Sequence, residues 1–310
     1  MNSQQQELDE NVLRVLLYFD IFNHPLKAEE IFNFLPRNSL TKKDLSDYLK
    51  SAISRNGNQF ICKNDFYYIV NRSDFHNLRK KKEEYSKRHW KIARFVTHII
   101  KRFPFVRAIF ITGSLSKNSS SKVSDLDFML ITQKDRLWIA KTLLMLFKKI
   151  FLLNKYKYFC INYLITEDSL EIEDKNLYTA IEIVTSKSTY NSELLSKFLL
   201  INEPWIKKIM PNYKVGDSSL HISGYPVNNN KSFIQKIMET IIPGFLADRL
   251  DNYLMQKTRN HWKSKYPYLT DKERYDMFRT SPKISKVHPQ NLQEKILDTY
   301  SQKLREFKLT

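Results

Sequence analysis

Two acidic residues separated by one position, Asp125 and Asp127, lead into an apolar run over 128–131. Side chains of a strand alternate between its faces, so the two carboxylates project from one side, about 7 Å apart. Leu126 and Phe128 project from the other side. Two such carboxylates repel each other unless a cation lies between them. Hard oxygen donors favour Mg²⁺ or Mn²⁺, ions that in turn bind substrate phosphates. Upstream, a second apolar run over 106–111 is short enough for a buried strand and stops at Gly113-Ser114. Gly113 lets the backbone approach a ligand closely. A helix opening over 114–116 would aim its free N–H groups at an anion. A polar, serine-rich segment over 116–124 joins the two runs. The chemistry indicated is metal-assisted handling of a phosphate. The plainer alternative is a serine-rich surface loop with a turn-forming Asp pair.

The residues Gly113, Ser114, Ser116, Lys117, Asn118, Ser124, Asp125 and Asp127 carry a resemblance to the nucleotidyltransferase motif of the DNA polymerase β superfamily. The pattern looks most like the minimal and aminoglycoside-type members, which read Gly-Ser-x-Ala-Arg-Gly, five variable residues, Ser-Asp-x-Asp. The spacing fits without a gap. Lys117 replaces Arg and keeps its charge. Asn118 replaces Gly, and Asn tolerates a left-handed backbone better than most residues. The resemblance covers residues 105–165. It implies an α+β fold with a nucleotidyltransferase-type mixed sheet and helices. It further implies that Asp125 and Asp127 hold Mg²⁺ or Mn²⁺ and are catalytic, and that Gly113, Ser114, Lys117 and Ser124 bind the nucleotide. The implied reaction transfers a nucleoside monophosphate, AMP from ATP by default, to a hydroxyl acceptor that the sequence does not name.

Members of this superfamily usually carry a third carboxylate on the next strand, expected here over 158–165. Asn162 occupies the corresponding place. Asn ligates a metal through its carbonyl but accepts no proton. Either the general base comes from elsewhere, with Glu171, Glu173, Asp174 and Glu182 as candidates, or the fold persists with catalysis weakened or lost. Glu182, on an expected helix over 177–184, is the preferred catalytic base by loose analogy to aminoglycoside-type relatives. The second reading makes the protein a nucleic-acid-binding or partner-binding regulator.

The elements that must position these groups divide the chain into four parts. Residues 1–75 read as three short helices and a hairpin, which resembles a winged-helix domain. Thr41 caps the third helix with Asp44 three positions on, and a turn at 63–65 joins the hairpin strands. Residues 76–104 form a basic connecting helix. Its 79–102 stretch holds ten Lys/Arg and two Glu, with Tyr85, His89, Ile92, Val96, Ile99 and Phe103 expected on its packed face. Residues 105–190 form the nucleotidyltransferase core, including a helix over 135–153 that is apolar around nearly its whole circumference and so expected to be buried. Residues 191–310 form a mainly helical region. It has a loop over 214–230, a long amphipathic helix interrupted at Pro243-Gly244, a short strand or irregular cover within 277–288, and a last helix over 291–307. The resemblance extends to bacterial proteins that join a winged helix to such a core.

The chain of 310 residues carries a net charge of +18, which favours nucleotides, nucleic acid or other polyanionic partners. The winged-helix-like part offers a surface for nucleic acid or protein, and a homodimer fits the habits of similar proteins. Cys62 and Cys160 form no metal pattern and indicate a reducing compartment. The polar N-terminal ten residues do not read as a signal peptide. Lys141, Lys148 and Lys149 break the longest apolar stretch, so no membrane span is expected and the cytoplasm is the expected location. Walker, Rossmann, zinc and Ser-His-Asp patterns are not found.

Overall fold

The computed structural model describes residues 3–36, 40–56, 59–70, 75–151, 157–215, 233–241, 244–288 and 290–309. The loop expected over 214–230 lies almost wholly outside them. Helices α1 (Ser3–Asp20), α2 (Ala28–Phe34) and α3 (Lys42–Asn56) precede a hairpin of β1 (Phe60–Lys63) and β2 (Phe66–Ile69). The Thr41 hydroxyl accepts the Asp44 amide at 3.3 Å, and the Asp44 carboxylate accepts the Thr41 hydroxyl at 2.7 Å, so α3 starts where the sequence places it. Asn64 and Asp65 both take positive φ, 52° and 64°, which suits a two-residue hairpin turn.

The fold is mixed α and β, built on a five-stranded mixed sheet. The strands are β3 (Val106–Ile111), β4 (Asp127–Thr132), β5 (Cys160–Thr166), β6 (Lys187–Tyr190) and β7 (Ile284–Lys286), in the order β6-β3-β4-β5-β7. Only β4 and β5 run parallel; the other neighbours are antiparallel. The sheet is buried on both faces, which is why its central strands read as unbroken apolar runs rather than alternating ones. Phe110, Met129 and Ile131 face a core that also holds α1, α2, α3, α7 (Leu177–Thr185), α8 (Ser192–Ile209) and α12 (Leu292–Glu306). Ile109, Phe128 and Leu130 face the opposite core, with α4 (Phe75–Ile100), α6 (Leu137–Phe151) and α10 (Gly244–Lys265). The N-terminal helices therefore share a core with one face of the sheet. Helix α5 (Gly113–Ser116), α9 (Phe233–Ile241) and α11 (Asp271–Met277) complete the described elements.

Four sequence expectations are corrected. Asp125 is not in a strand: β4 begins at Asp127, and Asp125 is an exposed residue ahead of it. The packed stripe of α4 is wider than the expected one. His89 and Val96 are buried and Ile92 and Phe103 pack against the core as expected, Tyr85 and Ile99 are half-buried, and Trp90, Ala93 and Ile100 are buried beside them. Helix α6 is not buried all round, since Leu146, Ile150 and Phe151 are exposed. Strand β6 was not expected; its four residues, Lys-Ser-Thr-Tyr, are too short a run with no apolar alternation to mark a strand, and pairing with β3 makes it one. The short strand foreseen within 277–288 is β7, and it closes the edge of the sheet beside β5.

Candidate functional site

Strand β3 carries the chain to Thr112 in extended conformation, where Gly113 turns it with φ +67°. A side chain at Gly113 is excluded twice. That φ is strained for an L residue, and a Cβ there would sit 2.2 Å from Asp127 Oδ2. The Thr112 amide donates to the Asp127 carbonyl at 3.1 Å, which locks the turn to the start of β4. The glycine turn and the acidic strand end thus meet, as the spacing implied.

A third element arrives from 69 residues away. Glu182, on α7, accepts the Gly113 amide at 2.9 Å through Oε2 and the Lys117 ammonium at 2.8 Å through Oε1. Lys117 also donates to the Gly113 carbonyl at 2.9 Å. Asn176 caps α7 by accepting the Thr179 amide at 3.0 Å, which fixes where that helix starts. Gly113, Lys117, Asp127 and Glu182 are therefore brought together.

Asn162 donates to Asp127 Oδ1 at 2.6 Å, and its carbonyl oxygen accepts the Cys160 thiol at 2.9 Å. Burial pushes the Asp127 carboxyl up to about 7, helped by the negative charge of Glu182, against the lowering effect of the Asn162 bond; Asp125 adds a smaller push upward. Burial, with the charge of Asp127 behind it, pushes the Cys160 thiol up to about 12, so it stays protonated as a donor. Tyr178, partly buried on α7, is held well above its usual value by desolvation of its hydroxyl and then by the charges of Glu182 and Asp127. From the C-terminal segment, the Val287 amide donates to the Asn162 carbonyl at 3.0 Å, so that segment forms one wall of the site.

Other expected residues are placed differently. Ser114 is half-buried in the first turn of α5. The Ser124 hydroxyl accepts the Ser121 amide at 2.8 Å and pairs with the Ser121 hydroxyl at 3.0 Å, so it shapes its own loop. Asn118 takes φ +51°, the left-handed conformation its replacement of Gly called for, and accepts the Trp90 indole N–H at 3.0 Å. The Ser86 hydroxyl accepts the Ser120 amide at 3.1 Å. Helix α4 thus clamps the serine loop. Of the other base candidates, Asp174 is committed to Arg279 and Lys286, and Glu171 pairs with Lys175.

Sequence reasoning missed Cys160, Tyr178 and the clamp from Ser86 and Trp90. Strand alternation does set Cys160 and Asn162 on one face, but nothing local gives the register that lays them beside Asp127. Among the described residues, no group of three or more His, Cys, Asp or Glu side chains is gathered in a metal-holding arrangement. Compared with protein-family models, curated proteins and solved structures, the chain matches none.

Proposed function

We propose that the protein is a metal-dependent nucleotidyltransferase of the DNA polymerase β type, moving a nucleoside monophosphate to a hydroxyl acceptor. One observation carries the reading. The Gly113 amide and the Lys117 ammonium converge on an anion, Glu182, with no room for a side chain between the glycine and Asp127. A triphosphate supplies the same kind of anion. ATP is the donor proposed, by the family resemblance alone.

The donor set fits a hard cation. Asp127 is a half-buried carboxylate whose ionised form is under-compensated, and Asp125 stands exposed two residues away. These two would hold Mg²⁺ or Mn²⁺, which when bound supplies positive charge against the triphosphate. Lys117 and the Gly113 amide bind phosphate oxygens, which frees Glu182. The acceptor oxygen then bonds to the α-phosphorus as the bond from that phosphorus to the bridging oxygen breaks. Pyrophosphate leaves, and Glu182 takes the acceptor's proton. The three N-terminal helices and hairpin are proposed as a winged-helix-like unit that presents a partner or nucleic acid.

A second reading rests on Asn162. Its side-chain N–H donates to Asp127 and its side-chain oxygen accepts the Cys160 thiol, so β5 offers an amide where a third carboxylate is expected. On that reading the site senses a nucleotide without turnover.

Labelled ATP, Mg²⁺ and candidate acceptors, the protein itself included, are expected to yield pyrophosphate. Asp125→Asn and Asp127→Asn should each cut the rate about 10²–10³-fold. Glu182→Gln should cut it by about 10² or more while leaving ATP binding in place. ATP binding without pyrophosphate release, unchanged by Glu182→Gln, supports the sensing reading. Neither binding nor release overturns both.

A further inference from the structure

Helix α9 buries two polar side chains and leaves three apolar ones exposed. A surface helix ordinarily turns its apolar stripe to the core and its polar side to water. In α9 two polar residues, Gln235 and Glu239, point inward, while Lys236 and Thr240 are exposed. Gln235 is buried and donates to the Val106 carbonyl at 2.7 Å. Four residues on, Glu239 accepts the Phe105 amide at 2.7 Å and forms an ion pair with Arg107 at 2.7 Å. The outward face carries Phe233, 77% exposed, with Ile237 and Met238.

The next helix continues the pattern. Ala247, Asp251 and Met255, at four-residue spacing, anchor α10, and Asp251 accepts the Ile139 amide of α6 at 2.9 Å. Away from that anchor, Leu246, Leu250 and Tyr253 form an exposed apolar row at helical spacing, with Phe245 exposed beside them. Single exposed apolar residues need no explanation, but a row of this extent over two consecutive helices marks a contact surface.

The charges on these helices select its partner. Their three acids are all engaged within the chain: Glu239 with Arg107, Asp248 with Arg136, and Asp251 with α6. The cations Lys236, Arg249 and Lys257 are exposed. An apolar row edged by exposed cations suits a surface that is apolar beneath an anionic layer. A second copy suits it poorly, because a chain of net charge +18 would bring like charges together across the contact. No described helix is long and apolar enough to cross a membrane, so the contact would be a lateral one. We infer that α9 and α10 form a peripheral docking face for an anionic lipid bilayer, with Phe233, Leu246, Leu250 and Tyr253 entering the acyl boundary and Arg249 and Lys257 meeting the headgroups. This inference is independent of the nucleotidyl transfer proposal.

Flotation of the full-length protein with vesicles tests it. Vesicles of phosphatidylcholine mixed with phosphatidylglycerol are expected to carry the protein about tenfold better than phosphatidylcholine alone. Leu246→Ser with Leu250→Ser keeps the net charge and removes only exposed side chains. It should lower that partition about tenfold, with an unchanged circular dichroism spectrum. Arg249→Gln with Lys257→Gln should lower the salt-sensitive part. The inference is overturned if anionic vesicles carry no protein, or if the Leu246→Ser/Leu250→Ser protein floats as well as wild type. It is also overturned if that variant instead converts a sedimenting dimer into a monomer, which would assign the face to a second copy.

Discussion

Glu182 Oε2 accepts the amide of Gly113 at 2.9 Å, so an acid from α7 rests in the turn between β3 and β4. The same carboxylate holds Lys117, and its charge raises the carboxyl of Asp127. The stability and the chemistry of this corner are therefore coupled.

Gly113→Ala tests how tightly that corner is built. A methyl at this position meets Asp127 Oδ2 at 2.2 Å, and φ is +67°. The expected cost is about 1–3 kcal/mol in urea unfolding. Pyrophosphate release should fall far more than that loss of stability would suggest, because Asp127 must move. Equal stability and equal rate in the variant would contradict the geometry.

Asn162→Asp tests whether β5 can carry a carboxylate beside Asp127. The change removes the bond donated to Asp127 at 2.6 Å and sets a second acid beside it. Without metal the variant should lose about 1–3 kcal/mol at neutral pH. Mn²⁺ should raise its melting temperature by more than it raises that of wild type. A variant whose loss Mn²⁺ does not recover would argue against a cation at this strand end.

Asp174 ties β7 to the sheet. It pairs with Arg279 at 2.9 Å and with Lys286 at 2.8 Å, both cations being nearly sequestered from water. Burial works to raise its carboxyl, yet the bonds from Arg279 and Lys286 prevail and hold it below the usual carboxylate value. Asp174→Ala leaves two buried cations short of a partner and should cost about 3–5 kcal/mol in urea unfolding. Replacing all three residues together with apolar ones of similar size should cost less than the single change. The reverse order would show that the cluster is strongly favourable in its own right.

His288 gives a pH dependence. Burial first, then the charge of Lys286, lowers its imidazole from 6.5 to about 4, against the raising effect of Glu182 and Asp174. The unfolded chain therefore binds the proton more tightly than the folded chain between those values. Stability is complete above pH 6.5 and falls as pH drops toward 4, by up to ~3 kcal/mol from this group. His24, buried beside Arg79, shifts in the same direction. Urea midpoints at pH 7.5 and pH 5 should differ less in His288→Gln than in wild type. An identical difference in both would assign the acid loss to other groups.

Local chemistry made much of this structure legible. The apolar runs of β3 and β4, the glycine between them, the Thr41 cap of α3 and the Asn64-Asp65 turn each act over a few residues, and each lies where its residues require. Asn118 takes the left-handed backbone for the same local reason. Strand β6 was hidden because its four residues are too short a run, with no apolar alternation, to stand out before they pair with β3. The burial of Trp90, Ala93 and Ile100 beside the expected stripe of α4 was hidden because Tyr85 and Ile99, which are only half-buried, are of similar apolar character.

The sequence by itself determined that Gly113 must stand close ahead of an acidic strand end. A Gly, two Asp and a Lys within fifteen residues are bound together by chain length alone. Only the tertiary structure decided that Glu182 fills the Gly113 turn, that Asn162 and Cys160 line up beside Asp127, and that Gln235 and Glu239 of α9 turn inward. Those relationships depend on register and packing between segments far apart in the chain, and no single segment carries the energy that selects them.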